Sequence, residues 1–192
     1  MKHPIPAIIF AGGKSSRMGR DKTLLPFAGF SSMSEFQYVK LSKLFNSVYI
    51  STKENKFDFS ANLILDKYKE SSPLVGIVSV FESLDDDVIF ILSADAPFVD
   101  AEIIQKLIDN IDDNDAIIAK TEEGRQPLCG IYKRSVLDIA RKNMMEDNHR
   151  IGNVLKNVKT KFVFFEKSEA FTNLNHPHEY EDALKVLKRI KI

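Results

Sequence analysis

Ile5-Pro6-Ala7-Ile8-Ile9-Phe10 runs directly into Ala11-Gly12-Gly13. A short, continuous apolar run closed by glycines reads as a strand buried on both faces. Val88–Ser93 (VIFILS) has the same form and ends at Ala94-Asp95-Ala96-Pro97. Val48–Ser51, Leu63–Leu65, Ala116–Ala119 and Lys161–Phe165 are further short β-rich runs, with another candidate at Leu128–Tyr132. Helical patterns fall between them. Asp100 reads as an N-cap before an apolar face of Ile103, Ile104, Leu107, Ile108 and Ile111. Tyr180, Ala183, Leu184 and Leu187 mark the last helix, with acidic residues in its first turns and Lys185, Lys188 and Arg189 towards its end. Weaker patterns predict helices over Glu35–Phe45, Leu74–Leu84, Arg134–Met144 and Ile151–Lys156. Strands alternating with helices make this an α/β chain with a mostly parallel sheet. In such sheets ligands bind beyond the carboxyl ends of the strands. That directs attention to the loop after the first run and to Asp95.

The composition narrows the function. The chain has 192 residues, 44% hydrophobic and 28% charged, enough for one domain with a sizeable core. Lys and Arg number 27 and Asp and Glu 27, so no bulk attraction to nucleic acid or an anionic membrane is expected. No run is long enough to span a bilayer. Cys129 is the only cysteine, which excludes an intrachain disulfide. With no export signal apparent, the expected location is cytoplasmic.

Phe10-Ala11-Gly12-Gly13-Lys14-Ser15-Ser16-Arg17-Met18-Gly19-Arg20-Asp21-Lys22 follows the first strand. Its glycines and serines let the backbone turn and present N–H groups to anionic oxygens. Lys14, Arg17, Arg20 and Lys22 add four cations. Together they make a polyphosphate site. The spacing fits neither a Walker-type P-loop nor the dinucleotide fingerprint G-x-G-x-x-G. Asp95 projects from a rigid strand end, where a single carboxylate beside a triphosphate suits Mg²⁺. His149, His176 and His178 lack the spacing of a metal cluster. Cys129 reads as a small buried hydrophobe. The acidic runs at Asp85–Asp87 and Asp112–Asp115 precede strands at their amino ends and read as solvated turns.

The segment Phe10–Leu25 resembles the signature L-A-G-G-x-[SG]-x-R-M-G-x-[DN]-K of Rossmann-like nucleotidyltransferases, and most closely the molybdenum cofactor guanylyltransferases. Further blocks are similar in register: Ser72-Pro73-Leu74-Val75-Gly76-Ile77, Ala94-Asp95-Ala96-Pro97-Phe98, Gln126 to Tyr132, His149-Arg150-Ile151, and Phe171 to Glu179. The resemblance covers nearly the whole chain. It implies a three-layer Rossmann-like nucleotidyltransferase fold with a mostly parallel central sheet. One domain would span 1–192, its part up to about residue 100 binding the nucleotide and the rest the acceptor. The implied reaction moves GMP from GTP to molybdenum-bearing molybdopterin, with Mg²⁺, and releases pyrophosphate. Proteins that deliver or receive the molybdenum cofactor are implied partners.

By resemblance, Phe10, Ala11, Gly12, Gly13, Lys22, Ser51, Asp66 and Asp95 contact the nucleotide. Arg17, Lys22 and Asp95 are the catalytic group, and Asp95 is the metal ligand. Asn173 and Asn175 match positions associated with the acceptor. Ser51 stands where many relatives have Asn, Ser72 where Gly precedes Pro-Leu, and His176 where Thr is usual. The Ser51 substitution keeps a related transferase, using CTP or another phosphorylated acceptor, as an alternative. A non-catalytic nucleotide switch is the reading from a different class, disfavoured by the lack of a Walker-type loop.

Overall fold

The computed structural model describes residues 1–12 and 21–190. Its centre is a seven-stranded sheet of order β3-β2-β1-β4-β6-β5-β7, built from β1 (Ala7–Phe10), β2 (Val48–Thr52), β3 (Leu63–Leu65), β4 (Val88–Ser93), β5 (Ala116–Thr121), β6 (Gly124–Lys133) and β7 (Thr160–Phe164). All strand pairings are parallel except the two made by β6. The expected mostly parallel α/β sheet is therefore present, with changes in detail. The first strand begins at Ala7, after Pro6, which has no N–H to give the ladder. β2 and β5 run on to Thr52 and Thr121, and β7 lies one residue earlier than expected. The candidate at Leu128–Tyr132 falls in the later half of a ten-residue strand. That strand runs antiparallel between β4 and β5.

Among the described residues, six helices flank the sheet: α1 (Met33–Ser42), α2 (Pro73–Phe81), α3 (Ala101–Ile108), α4 (Leu137–Met145), α5 (Ile151–Lys156) and α6 (Pro177–Ile190). Alternation along the strands divides the core. Ala7, Ile9, Ile50, Phe90 and Leu92 pack with Leu41 of α1 and Ile103, Ile104 and Leu107 of α3. Ile8, Phe10, Ile89 and Ile91 point the other way, against α2, α4 and α5. The result is three layers. Asp100 caps α3 as expected, accepting from the Ile103 amide at 2.9 Å. α1 starts two residues before its predicted start because Ser32 caps it, accepting from the Glu35 amide. α2 likewise starts at Pro73 under a Ser72 cap. Residues 134–136 form a 3-10 turn, so α4 begins only at Leu137. α6 packs Ala183, Tyr180 and Leu184 against Phe27, Met33 and Leu174. Leu187, Lys188 and Arg189 lie outside the described side chains. Among the described residues, no helix is long and apolar enough to cross a membrane.

Gly130 shows how tightly β6 fits. A Cβ there would lie 2.5 Å from the Ile117 carbonyl oxygen, and backbone cannot yield as a flexible side chain can. Gly130→Ala is expected to cost about 1–3 kcal/mol of stability, read as a lower urea midpoint with an unchanged m-value.

Candidate active site

The parallel register builds the site. Phe10 pairs with Ser51 on one side and Ser93 on the other. The carboxyl ends of β1, β2 and β4 therefore lie side by side, and the Ala94 amide donates to the Phe10 carbonyl at 3.0 Å, which sets the end of β1 beside the Asp95 turn. Gly13 and Arg17, with Lys14 and Arg20, fall in 13–20, outside the described residues. Both flanks of that segment are described, and Lys56 ties them together. Its ammonium donates to the Ala11 carbonyl at 2.9 Å and to the Asp21 carboxylate. Asp21 in turn caps the 3-10 turn Lys22–Leu24, accepting from the Thr23 amide and hydroxyl. Burial opposes ionisation of Asp21, but the hydrogen bonds from Lys56 and Thr23 outweigh it and hold its carboxyl below the usual range.

From this turn Lys22 reaches across the sheet end. Its ammonium ion-pairs with the Asp95 carboxylate and donates to Asn175 Oδ1 at 2.7 Å. Asp95 is buried, and its other carboxylate oxygen accepts from the Ser93 hydroxyl. Three residues singled out in the sequence thus converge, although 73 and 153 positions separate Lys22 from its two partners. The C-terminal block is fixed to the same point. The Leu174 amide donates to the Asp95 carbonyl at 2.9 Å. Glu179 accepts from the Asn175 and His176 amides at 2.7 and 2.8 Å. His176 thus belongs to the cap of α6, with Pro177 as the first residue of the helix. Asn173 lies two residues from Asn175, and its carbonyl accepts from the Asn175 amide.

Beside this cluster is a cavity of about 90 Å³ lined by Phe10, Gly12, Ser51, Asp66, Ser72, Gly76, Ser93 and Leu128, among others. Phe10, Gly12, Ser51 and Asp66, all nucleotide candidates, share this wall. Ala11 is buried, and its amide bonds to the Ser51 carbonyl. Gly76 lets α2 approach closely: a Cβ there would lie 3.0 Å from the Phe10 ring and 3.2 Å from Ser51 Oγ. Burial pushes the Asp66 carboxyl above its ordinary range, opposed by the Lys53 charge. Cys129 is buried, as expected, and burial pushes its thiol up to about 12.

Residue types alone gave no sign of the clamp beneath Asp95. Gln37, fully buried on α1, donates to the Ser93 and Ala96 carbonyls at 3.2 and 2.9 Å. One turn on, Lys40 donates to the Pro97 and Val99 carbonyls at 3.0 and 2.9 Å. Lys40 is half-buried, and burial lowers its pKa to about 7, opposed by the charges of Cys129 and Asp100. The unfolded chain therefore binds one more proton than the folded chain above about pH 7. Stability is expected to rise with pH by up to about 1.4 kcal/mol per unit as Lys40 loses its proton. Above about pH 9, Cys129 acts in the opposite sense. Urea titrations between about pH 7 and 8.5 check this, and Lys40→Met should abolish the rise.

The family model of the MobA-like NTP transferase domain matches residues 7–161. The chain is 38% identical over 184 residues to a molybdenum cofactor guanylyltransferase of Campylobacter jejuni subsp. doylei, covering 94% of this chain and 96% of that protein. It is 35% identical over 198 residues to a protein of the same name from Helicobacter pylori, covering 98% of each. Among solved structures, molybdopterin-guanine dinucleotide biosynthesis protein A from Archaeoglobus fulgidus matches with a TM-score of 0.84 at 20% identity. That match covers 96% of this chain and all of the other, and supports the Rossmann-like fold. With the match spanning the sheet and the strand-end site together, the chain belongs to the MobA-like NTP transferase family.

Proposed function

We propose that this chain transfers GMP from GTP to the terminal phosphate of molybdenum-bearing molybdopterin, releasing pyrophosphate and forming the guanine dinucleotide. The observation that carries the reading is the meeting of Lys22, Asp95 and Asn175 beside the cavity that holds Asp66 and Ser51. One end suits a triphosphate and the other a base. The names of the relatives at 38% and 35% identity support the same substrates.

The acceptor is a phosphate monoester, already largely ionised near pH 7. Its oxygen attacks the α-phosphorus, the bond to the bridging oxygen of the β-phosphate breaks, and pyrophosphate leaves with the electron pair. No strong general base is needed, so positioning and charge neutralisation dominate. Lys22 exchanges its carboxylate partner for phosphate oxygens and stabilises charge on the α-phosphoryl group. Arg17 and the backbone from Gly12 to Ser16, Gly13 included, are assigned to the same polyphosphate. Phe10 and Ala11 border the nucleotide, while Ser51 and Asp66 face the base. Asn173 and Asn175 take the acceptor.

The donor set fits Mg²⁺. Asp95 offers a hard carboxylate at a strand end, and Mg²⁺ commonly takes one or two carboxylates with phosphate and water completing its shell. Asp95 would hold the ion, which when bound supplies Lewis acidity at the phosphate oxygens. We assign the reaction to the cytoplasm, with partners that deliver molybdopterin and receive the product. The nucleotide is assigned to the part up to about residue 100 and the acceptor to the remainder.

The test is incubation with Mg²⁺, molybdenum-loaded molybdopterin and each nucleoside triphosphate in turn. GTP should give pyrophosphate and the guanine dinucleotide. Preferential use of CTP would transfer the reading to the cytidylyl alternative, and GDP with inorganic phosphate would indicate a switch. Asn175→Ala is expected to raise KM for the acceptor more than KM for GTP; equal rises would contradict its acceptor role.

A further inference from the structure

We infer that His149 is a specificity-determining residue for the nucleotide base, because it sets the hydrogen-bond polarity of Ser72 in the cavity wall. The inference rests on the proposed reading of that cavity as the base subsite. Ser72 Oγ accepts from the Val75 amide at 3.2 Å, as the cap of α2. It lies 3.1 Å from His149 Nδ1. The other ring nitrogen, Nε2, lies 3.2 Å from Asp147 Oδ1. An ionised carboxylate only accepts, so in the neutral ring Nε2 carries the hydrogen and Nδ1 is the acceptor. The Ser72 hydroxyl hydrogen is then directed to Nδ1. Towards the cavity Ser72 offers one lone pair and no hydrogen.

The turn that carries His149 is well held. Asp147 sits at φ +55°, a conformation that Asp tolerates better than most residues. Asn148 bonds to Asn143 through both backbone and side chain, at 2.9 and 2.8 Å, and accepts from Asn153 at 2.8 Å. Ser72 and Asp66 both line the cavity and both offer acceptors. Two acceptors in one cavity match a base edge with two donors, the imide N–H and exocyclic amine of guanine. They disfavour adenine and cytosine, whose ring nitrogen at that edge is itself an acceptor. Ser72 stands where the family signature has Gly, which has no hydroxyl to orient. The device therefore belongs to this chain's own residues.

Without acceptor no transfer occurs, so calorimetry can measure binding of GTP and ATP directly. In His149→Leu the Ser72 hydroxyl is free to donate, and the preference for GTP over ATP should fall roughly ten-fold. In a Ser72→Ala background, His149→Leu should produce no further change in preference. Histidine ¹⁵N NMR of the wild-type protein should show the Nε2–H tautomer for His149. An unchanged preference in His149→Leu, or an Nδ1–H tautomer, would overturn the inference while leaving the base subsite intact. A wild-type protein with no preference for GTP would overturn the subsite reading and this inference with it.

Discussion

Asp95→Ala is expected to lower GMP transfer by at least ~100-fold while the protein stays folded. Asp95 is buried at the end of β4, and its carboxylate receives both the Lys22 ammonium and the Ser93 hydroxyl. Its backbone contact to Leu174 does not involve the side chain and survives the substitution. Asp95→Asn keeps the shape and removes the charge, so a loss of similar size would identify charge as the operative property. Turnover of the purified protein and Mn²⁺ binding read the two consequences separately. Near-normal turnover in a folded Asp95→Ala protein would remove Asp95 from the metal role.

Lys22→Ala carries the second large effect, also at least ~100-fold on turnover. Lys22 is the one described residue that touches both Asp95 and Asn175 through its side chain. It is set in a 3-10 turn capped by Asp21, which aims a compact point charge at the strand end. Arginine at this position is not expected to rescue, since its planar fork is longer and bonds in a fixed geometry. Lys22 and Asp95 act on the same charge. The double variant should therefore be far less impaired than the product of the two single losses. Multiplicative losses would show that the two residues act independently.

Much of the sheet is legible from local sequence because buried parallel strands are continuous apolar runs. β1, β2, β3 and β4 follow that rule within two residues of their expected ends. β6 does not, since Arg125, Pro127 and Gly130 interrupt its apolar pattern. Its insertion between β4 and β5, antiparallel to both, is a long-range pairing without a local signature. The start of α1 was obscured for a related reason. Its buried face includes Ser34 and Gln37, polar residues whose donor groups bond to distant carbonyls.

The site divides in the same way. Asp95 and Lys22 were legible because a carboxylate at a strand end and a basic glycine loop are compact features. Asp66 and Ser51 came from resemblance, and the cavity brings their side chains to one wall. Lys56, Gln37 and Lys40 have no local signature because their targets lie 35 to 59 positions away. Each is an ordinary helix or loop residue until the fold supplies its partner. The Ser72–His149 contact joins positions 77 apart and is equally hidden from local sequence.

One GTP is expected to span the cavity at Asp66 and the Lys22–Asp95 pair. A crystal structure of the wild-type protein with GTP and Mn²⁺, recorded with anomalous data, decides this. A manganese peak is expected within coordination distance of Asp95, with phosphate oxygens on Lys22 and guanine between Asp66 and Ser72. Manganese bound away from Asp95, or a nucleotide seated elsewhere on the molecule, would contradict it.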